Sequence, residues 1–247
     1  MIFESQYLKC SDTVLIFKPR VAHSYPTPAL YLLHGWSGNY SNWSTKTNIQ
    51  AVADKYGFII ITPDGFYDSW YLNNVDTNKM QWRAFFDNEL YPILKDRLQL
   101  DPARTFITGL SMGGHGAINI FMDDTTRFAA AGSMSGVLEI PEARLKNGQI
   151  AKILGPYSAD NKLYNTPSAI GRLDKLAGTK KIVLVSCGAQ DELVNSNLEF
   201  IKKATEKKIP NILLLSPGVH SWKYWIYALD MHLNIFTRIL DGENMGY

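Results

Sequence analysis

The chain has 247 residues, of which 46% are hydrophobic and 19% charged, and its formal net charge is +2. This length and composition fit one α/β domain with a large core, and they exclude a disordered chain. The small net charge, with lysines and arginines placed singly or in pairs, predicts no nucleic-acid partner. The apolar runs are only strand-length, so no membrane partner is expected.

The start of the sequence bears on the cellular compartment of the protein. The start of the chain lacks the basic residues, apolar stretch and cleavage site of a secretory leader, which favours a cytoplasmic protein. A secreted or periplasmic location is the alternative if a leader has been removed.

With only Cys10 and Cys187, the fold does not depend on a disulfide framework. No pattern in the sequence predicts a particular oligomeric state.

Short apolar runs alternate with longer amphipathic segments, which is typical of βα units around a mostly parallel sheet. The predicted strands are 13–17, 29–33, 58–62, 105–108, 129–132, 182–186 and 212–215, with the first at an antiparallel edge. The predicted helices are 81–98, 114–122, 193–207 and 222–240. The sequence therefore predicts an α/β fold.

No repeat or linker divides the chain, so one domain is expected over 1–247. The stretch 136–166 interrupts the βα rhythm, because prolines and glycines break any long element within it. It lies between two predicted strands. A lid or pocket-forming excursion is one interpretation of this stretch, and an ordinary surface excursion is the other.

Residues 109–113 read Gly-Leu-Ser-Met-Gly, a G-x-S-x-G motif with a predicted strand before it and a predicted helix after it. A serine at such a sharp turn is lifted above the sheet, and glycines on either side leave room for the neighbouring backbone. The first N–H groups of the helix favour negative charge at this point. Ser111 is therefore the candidate nucleophile.

A serine hydroxyl needs a histidine base, and in this context the order along the chain is serine, acid, histidine. Three histidines follow Ser111. His115 lies on the helix that begins after Ser111, and His232 lies inside the last helix, so packing roles are expected for both. His220 lies in the loop between the last strand and the last helix, where a base can reach Ser111. His220 is the candidate base.

The acid is expected just after the strand 182–186, where the chain reads Cys-Gly-Ala-Gln-Asp-Glu. Asp191 is preferred because its shorter side chain is held more rigidly, and Glu192 is the rival. Glu192 also suits the first turn of the following helix. The acid would fix the tautomer of His220 and stabilise the imidazolium.

An oxyanion hole usually consists of two backbone N–H donors. The residue after the nucleophile, Met112, is expected to supply one of them. The second is expected from the loop that follows the strand 29–33 and reads His-Gly-Trp-Ser-Gly. Trp36 is the preferred donor in this loop, with Gly35 as the alternative.

Aromatic residues cluster after this loop and after the Pro-Asp-Gly turn at 63–65. Because aromatic faces stack on sugar or feruloyl rings, Trp43, Tyr67 and Trp70 are candidate substrate-binding residues. The alternative is that these side chains pack against the body of the domain.

The stretches 31–35, 108–116, 188–191 and 218–225 resemble the esterase D-like family of putative esterases. This family includes tributyrin esterases, S-formylglutathione hydrolases, feruloyl esterases and mycolyltransferases. The resemblance implies a three-layer α/β/α hydrolase that acts on small-molecule or carbohydrate esters of short-chain or aromatic acids. It implies no metal and no other cofactor.

The resemblance leaves several activities to compare. The formylglutathione branch usually carries a cysteine in the loop where this chain has Trp-Ser-Gly at 36–38, a difference that favours the tributyrin or feruloyl branch. A thioesterase and an acyltransferase are the alternative enzymes. A non-catalytic binding module is disfavoured, because all three positions of the serine, histidine and acid set are filled.

Overall fold

The structure is a computed structural model that describes residues 1–21, 24–140, 148–158, 160, 162–164, 167–243 and 245. The strands in these ranges are β1 (Ile2–Ser5), β2 (Cys10–Thr13), β3 (Leu15–Phe17), β4 (Ala29–Leu33), β5 (Ile59–Thr62), β6 (Thr105–Gly109), β7 (Ala130–Met134), β8 (Val183–Gly188) and β9 (Asn211–Ser216). Strands β1 and β2 form a separate antiparallel hairpin. The other seven form the central sheet in the order β3-β5-β4-β6-β7-β8-β9.

The central sheet is parallel except at one edge. Strand β3 pairs antiparallel with β5, and every other pair of neighbours is parallel. This confirms the predicted mostly parallel sheet with an antiparallel edge. The strand predicted over 13–17 is divided at Val14, because residues before it pair with β1 and residues after it pair with β5.

Helices lie between the strands. They are α1 (Asn42–Lys46), α2 (Ile49–Tyr56), α3 (Trp82–Phe85), α4 (Tyr91–Arg97), α5 (Met112–Asp123), α6 (Gln149–Leu154), α7 (Val194–Glu206) and α8 (Trp222–Leu240). A π turn at Phe86–Leu90 joins α3 to α4, so one nearly continuous helix spans the stretch predicted as 81–98. Helix α8 has the predicted bounds, whereas α1 and α2 were not predicted.

Both faces of the sheet are buried. Along β4, Tyr31 and Leu33 pack into one apolar cluster with residues of α3, α5 and α7. Leu30 and Leu32 point to the opposite face and pack with residues of α2 and α8. Each fully buried leucine stabilises the fold by about 1.5–3 kcal/mol. The predicted three-layer α/β/α arrangement is therefore confirmed.

The stretch 136–166 falls partly outside the described residues, at 141–147, 159, 161, 165 and 166. Its described part includes α6 and a 3₁₀ turn at Lys162–Tyr164. Ile150 and Tyr164 in this part are buried in the core cluster that contains α5. The lid interpretation and the single domain over 1–247 both stay predictions. Among the helices in the described ranges, none has the length and apolar character needed to cross a membrane.

Candidate active site

Ser111 occupies a sharp turn between β6 and α5. Its backbone has φ 51° and ψ −114°, an uncommon and strained conformation for a residue with a side chain. A Cβ on Gly109 would lie 2.5 Å from the carbonyl carbon of Gly113, and a Cβ on Gly113 would lie 2.6 Å from the carbonyl oxygens of Leu33 and His34. The two glycines are therefore needed so that the start of α5 can pass close to β4 and β6.

His220 lies within hydrogen-bond distance of Ser111. The loop between β9 and α8 brings His220 Nε2 to 3.0 Å from Ser111 Oγ. His220 Nδ1 faces the carboxylate of Asp191, so this nitrogen carries the hydrogen and Nε2 accepts from the hydroxyl. The structure thus places the predicted base where it can remove the proton of Ser111.

Asp191 holds the other side of the imidazole. Its Oδ2 and Oδ1 lie 2.9 and 3.1 Å from His220 Nδ1, and Oδ1 also accepts from the N–H of Leu193 at 2.9 Å. Burial by itself would raise the pKa of Asp191, but the hydrogen bonds from His220 and Leu193 hold it below its usual value. Asp191 is therefore a carboxylate at neutral pH. Glu192, its rival, is exposed, and His220 pairs with Asp191.

The backbone N–H groups of Trp36 and Met112 are open to an oxyanion. Within the described part of the chain, neither N–H donates to a protein acceptor. The N–H of Ser37, by contrast, is engaged with the carbonyl oxygen of Tyr67 at 2.8 Å. A Cβ on Gly35 would lie 3.5 Å from Ser111 Cβ, so the loop approaches the nucleophile closely. Trp36 and Met112 remain the candidate donors.

His34 holds this loop in place. Its Nε2 accepts from the N–H of Gly65 at 2.7 Å, so Nδ1 carries the hydrogen and donates to the carbonyl oxygen of Gly35 at 2.8 Å. The hydroxyl of Tyr71 donates to the carbonyl oxygen of His34 at 2.7 Å. This positioning role of Tyr71 was not predicted, since the partners are far apart in sequence.

A cleft of about 620 Å³ opens beside Ser111. It runs between the loop after β4 and the start of α8, with one wall from α1. Its lining residues are Gly35, Trp36, Ser37, Gly38, Asn42, Lys46, Leu110, Ser111, His220, Ser221, Trp222 and Trp225. Sequence reasoning missed Asn42 and Lys46, because α1 was not predicted.

The structure contradicts the substrate-binding prediction for Trp43 and Trp70. Trp43 is fully buried, donates from Nε1 to the carbonyl oxygen of Leu33 at 3.3 Å and packs edge-on against Trp222. Trp70 is 3% exposed and packs edge-on against His115. Both indoles are buried because large apolar rings gain more from the core than from solvent. Tyr67 is 56% exposed and touches the ring of Trp36, so it stays a candidate.

The other two histidines after Ser111 are buried in the core. Burial lowers the pKa of both His115 and His232 to about 3, which keeps both rings neutral. His232 hydrogen-bonds Thr108 Oγ1 at 3.0 Å and Ser186 Oγ at 2.9 Å, as a packing residue would. The described residues include no cluster of three or more histidine, cysteine or acidic side chains that could hold a metal.

Comparisons with known proteins agree with this fold. A family model described as putative esterase matches residues 5–235. The chain is 28% identical over 268 residues to the S-formylglutathione hydrolase of Mus musculus, covering 98% of this chain and 94% of that protein. It is 26% identical to an acetyl esterase of Caldicellulosiruptor saccharolyticus, covering 90% and 91%.

A solved structure of a ferulic acid esterase superposes with a TM-score of 0.79 at 25% identity, covering 97% of this chain and 96% of that one. The family model spans nearly all of the chain, including the turn at Ser111 and the loop that carries His220. This chain therefore belongs to the putative esterase family of α/β-hydrolase enzymes.

Proposed function

We propose that the chain hydrolyses carboxylic esters of short-chain or aromatic acids through an acyl-enzyme on Ser111. The observation that carries this proposal is the continuous hydrogen-bonded series from Ser111 Oγ through His220 to Asp191. A serine, an imidazole and a buried carboxylate in this order are what acyl transfer to a hydroxyl requires.

In the acylation step, Ser111 Oγ attacks the ester carbonyl carbon while His220 Nε2 takes the hydroxyl proton. The carbonyl oxygen becomes an oxyanion, which the N–H groups of Trp36 and Met112 stabilise. Asp191 stabilises the imidazolium of His220 without taking its proton. The imidazolium then protonates the leaving alcohol as the carbon–oxygen bond breaks, which leaves the acyl group on Ser111.

In the deacylation step, water takes the place of the alcohol beside His220. His220 Nε2 removes a proton from this water, and the resulting hydroxide attacks the acyl carbon. The same N–H groups stabilise the second oxyanion. The bond to Ser111 Oγ then breaks, His220 returns its proton to that oxygen, and the carboxylic acid leaves.

The substrate is proposed as a small-molecule or carbohydrate ester, with acetyl and feruloyl groups as the first acids to test. The acetyl esterase and ferulic acid esterase among the relatives support these two acyl groups. The exposed rings of Trp36 and Tyr67 meet edge-on, with centroids 5.3 Å apart, and offer aromatic surface to a sugar or feruloyl ring. Thioester hydrolysis is the second candidate, supported by the S-formylglutathione hydrolase relative.

The test compares the wild type with Ser111→Ala on p-nitrophenyl acetate, with Ser11→Ala as the matched control. Ser11 is an exposed residue of the β1–β2 hairpin. We expect Ser111→Ala to abolish turnover while it unfolds at the wild-type temperature, and Ser11→Ala to keep full turnover. Unchanged turnover in Ser111→Ala contradicts the proposal. Methyl ferulate, acetylated xylan and p-nitrophenyl esters of rising chain length then define the acyl group.

A further inference from the structure

One wall of the active-site cleft must receive the leaving group. The leaving oxygen or sulfur takes its proton from His220 Nε2, so the rest of the leaving group lies on the side of the cleft next to His220. The start of α8 directly follows His220, and Trp43 of α1 packs against Trp222. The cleft residues contributed by α1 and the start of α8 are Asn42, Lys46, Ser221, Trp222 and Trp225. We call them the leaving-group wall.

The leaving-group wall carries positive charge and no acidic residue. Lys46 lies in the last turn of α1, and none of the described residues that line the cleft is an aspartate or glutamate. The ammonium of Lys46 is exposed and forms no ion pair with any carboxylate in the described ranges. A cation without a protein partner beside a catalytic serine is suited to an anionic substrate group.

The start of α8 adds to this positive character. Helix α8 has 19 residues, and the side chain of Ser221 at its N-cap makes no capping hydrogen bond. The N–H groups of Trp222 and Lys223 have no acceptor among the described residues. Free N–H groups at the start of a long helix carry about half a positive charge and favour an anion.

Trp225 supplies an independent observation on the same wall. It borders the cleft and is 7% exposed, yet its indole Nε1 is buried without a hydrogen-bond acceptor among the residues that the structure describes. Leaving a buried donor unpaired costs about 1–3 kcal/mol. The indole N–H is thus one more unpaired donor on the wall.

We propose that the leaving-group wall binds a carboxylate carried by the leaving alcohol or thiol, with Lys46 as the residue that selects for it. This inference rests on the proposed ester hydrolysis at Ser111 and adds the charge of the group that departs. A neutral sugar or simple alkyl alcohol leaves Lys46 and the start of α8 unpaired. A carboxylate on the leaving group pairs with Lys46.

The test uses two pairs of acetyl substrates that differ only in the charge of the leaving group. The oxygen pair is 4-acetoxybenzoate and 4-acetoxybenzamide. The sulfur pair is the acetyl thioesters of 3-mercaptopropionate and 3-mercaptopropionamide. In each pair, we define the carboxylate preference as kcat/KM for the carboxylate divided by kcat/KM for the amide. Any effect of a variant on folding or on the acyl group is common to both substrates and cancels in this ratio.

The variants are Lys46→Met, Lys46→Arg and the control Lys95→Met, which removes one exposed lysine from α4. We expect Lys46→Met to lower the carboxylate preference about fivefold, as for a partly exposed ion pair. Lys46→Arg should keep most of the preference, and Lys95→Met should keep all of it. Added NaCl should lower the preference of the wild type but not that of Lys46→Met.

An equal carboxylate preference in the wild type and Lys46→Met overturns the inference, and so does a wild type that favours the amides. A preference lost equally in Lys95→Met also overturns it, since net charge alone would then be responsible. Turnover of p-nitrophenyl acetate is measured alongside. If the wild type fails to hydrolyse it, the proposed function fails. If the wild type hydrolyses it but Lys46→Met keeps the wild-type carboxylate preference, only the inference fails.

Discussion

At the scale of single residues, Ser111 adopts a strained backbone conformation that its neighbours must maintain. The absence of a side chain at Gly113 matters because the facing atoms are backbone oxygens of Leu33 and His34, which cannot move aside as a flexible side chain would. The turn therefore depends on the space left at Gly113 as well as on the hydrogen bond between Ser111 and His220.

Gly113→Ala should lower the free energy of unfolding by about 2–4 kcal/mol, because its Cβ would overlap backbone oxygens. It should also reduce turnover per folded molecule, since Ser111 would shift. The control is Gly178→Ala, where φ is 75° and no atom lies within 4 Å of the new Cβ. That change should cost about 1–2 kcal/mol and leave turnover intact. Urea unfolding and p-nitrophenyl acetate assays measure both, and equal behaviour of the two variants would refute the steric argument.

Asp191→Asn should lower kcat about 10³–10⁴-fold, because an amide cannot hold His220 in the required tautomer or stabilise its charge. Glu192→Gln, which removes the neighbouring carboxylate, should retain wild-type kcat. Steady-state kinetics at a pH where the wild type is fully active measures both. A larger loss in Glu192→Gln than in Asp191→Asn would assign the acid to Glu192 instead.

Sequence reasoning found the residues whose role follows from a motif and its order along the chain. Ser111, His220 and Asp191 lie together in the structure because each ends a strand–loop unit that the pattern predicted. The prediction that Trp43 and Trp70 bind substrate was wrong, because the same aromatic ring suits a core and a cleft equally well. Only the three-dimensional path of the loops decides which of the two surrounds it.

At the scale of elements, α8 links the catalytic loop to the sheet. It begins two residues after His220, and one ring on it, His232, hydrogen-bonds Thr108 of β6 and Ser186 of β8. Strand β7 lies between these two strands, and a Cβ on its Gly132 would lie 2.6 Å from His232 Nδ1. His232 therefore fixes α8 against three strands at once.

The buried histidines make stability depend on pH. The pKa of His232 is about 3 in the fold and 6.5 in the unfolded chain, so the unfolded chain binds more protons between these values. The stability that comes from keeping this histidine neutral is present in full above pH 6.5, and it is lost as the pH falls toward 3. From pH 7 to pH 5 the loss is about 2 kcal/mol for each such histidine.

His232→Gln should therefore lower proton uptake on unfolding near pH 5 by about one proton, as should His115→Gln. The slope of the free energy of unfolding against pH measures this uptake. A slope unchanged by either substitution would show that the imidazoles are already protonated in the fold.

The elements themselves differ in how well the sequence predicts them. Helix α8 was predicted at its observed bounds, because its apolar residues recur at helical spacing over 19 residues. Helices α1 and α2 were missed because they have only 5 and 8 residues. Over so few residues, periodicity is a weak signal. The missed α1 carries Lys46, so this gap also hid one wall of the cleft.

At the scale of the whole molecule, the site lies where the parallel strands end. The loop after β4, Ser111 after β6, Asp191 after β8 and His220 after β9 all follow the carboxyl ends of strands in one sheet. In open α/β sheets this edge is where ligands bind. The sequence predicts this edge because each candidate residue follows a predicted strand, whereas the shape of the cleft depends on loops whose paths local patterns do not determine.

The two cysteines differ in exposure, because only one of them lies inside the central sheet. Cys10 is exposed on the hairpin, whereas Cys187 is buried in β8, where burial raises the pKa of its thiol to about 12. A thiol-reactive disulfide reagent should therefore modify one thiol in the native protein and two after unfolding. Cys10→Ser should abolish the native reaction. Rapid labelling of Cys187 in that variant would contradict the burial of β8.

The central claim is that Ser111 is the activated nucleophile of this chain. Labelling with a fluorophosphonate probe, followed by peptide mass spectrometry, tests it most directly, because the probe reacts only with a serine that a base has activated. The predicted result is one adduct per molecule, located on Ser111 and lost in Ser111→Ala. An unlabelled wild-type protein, or an adduct on any other residue, would contradict the account.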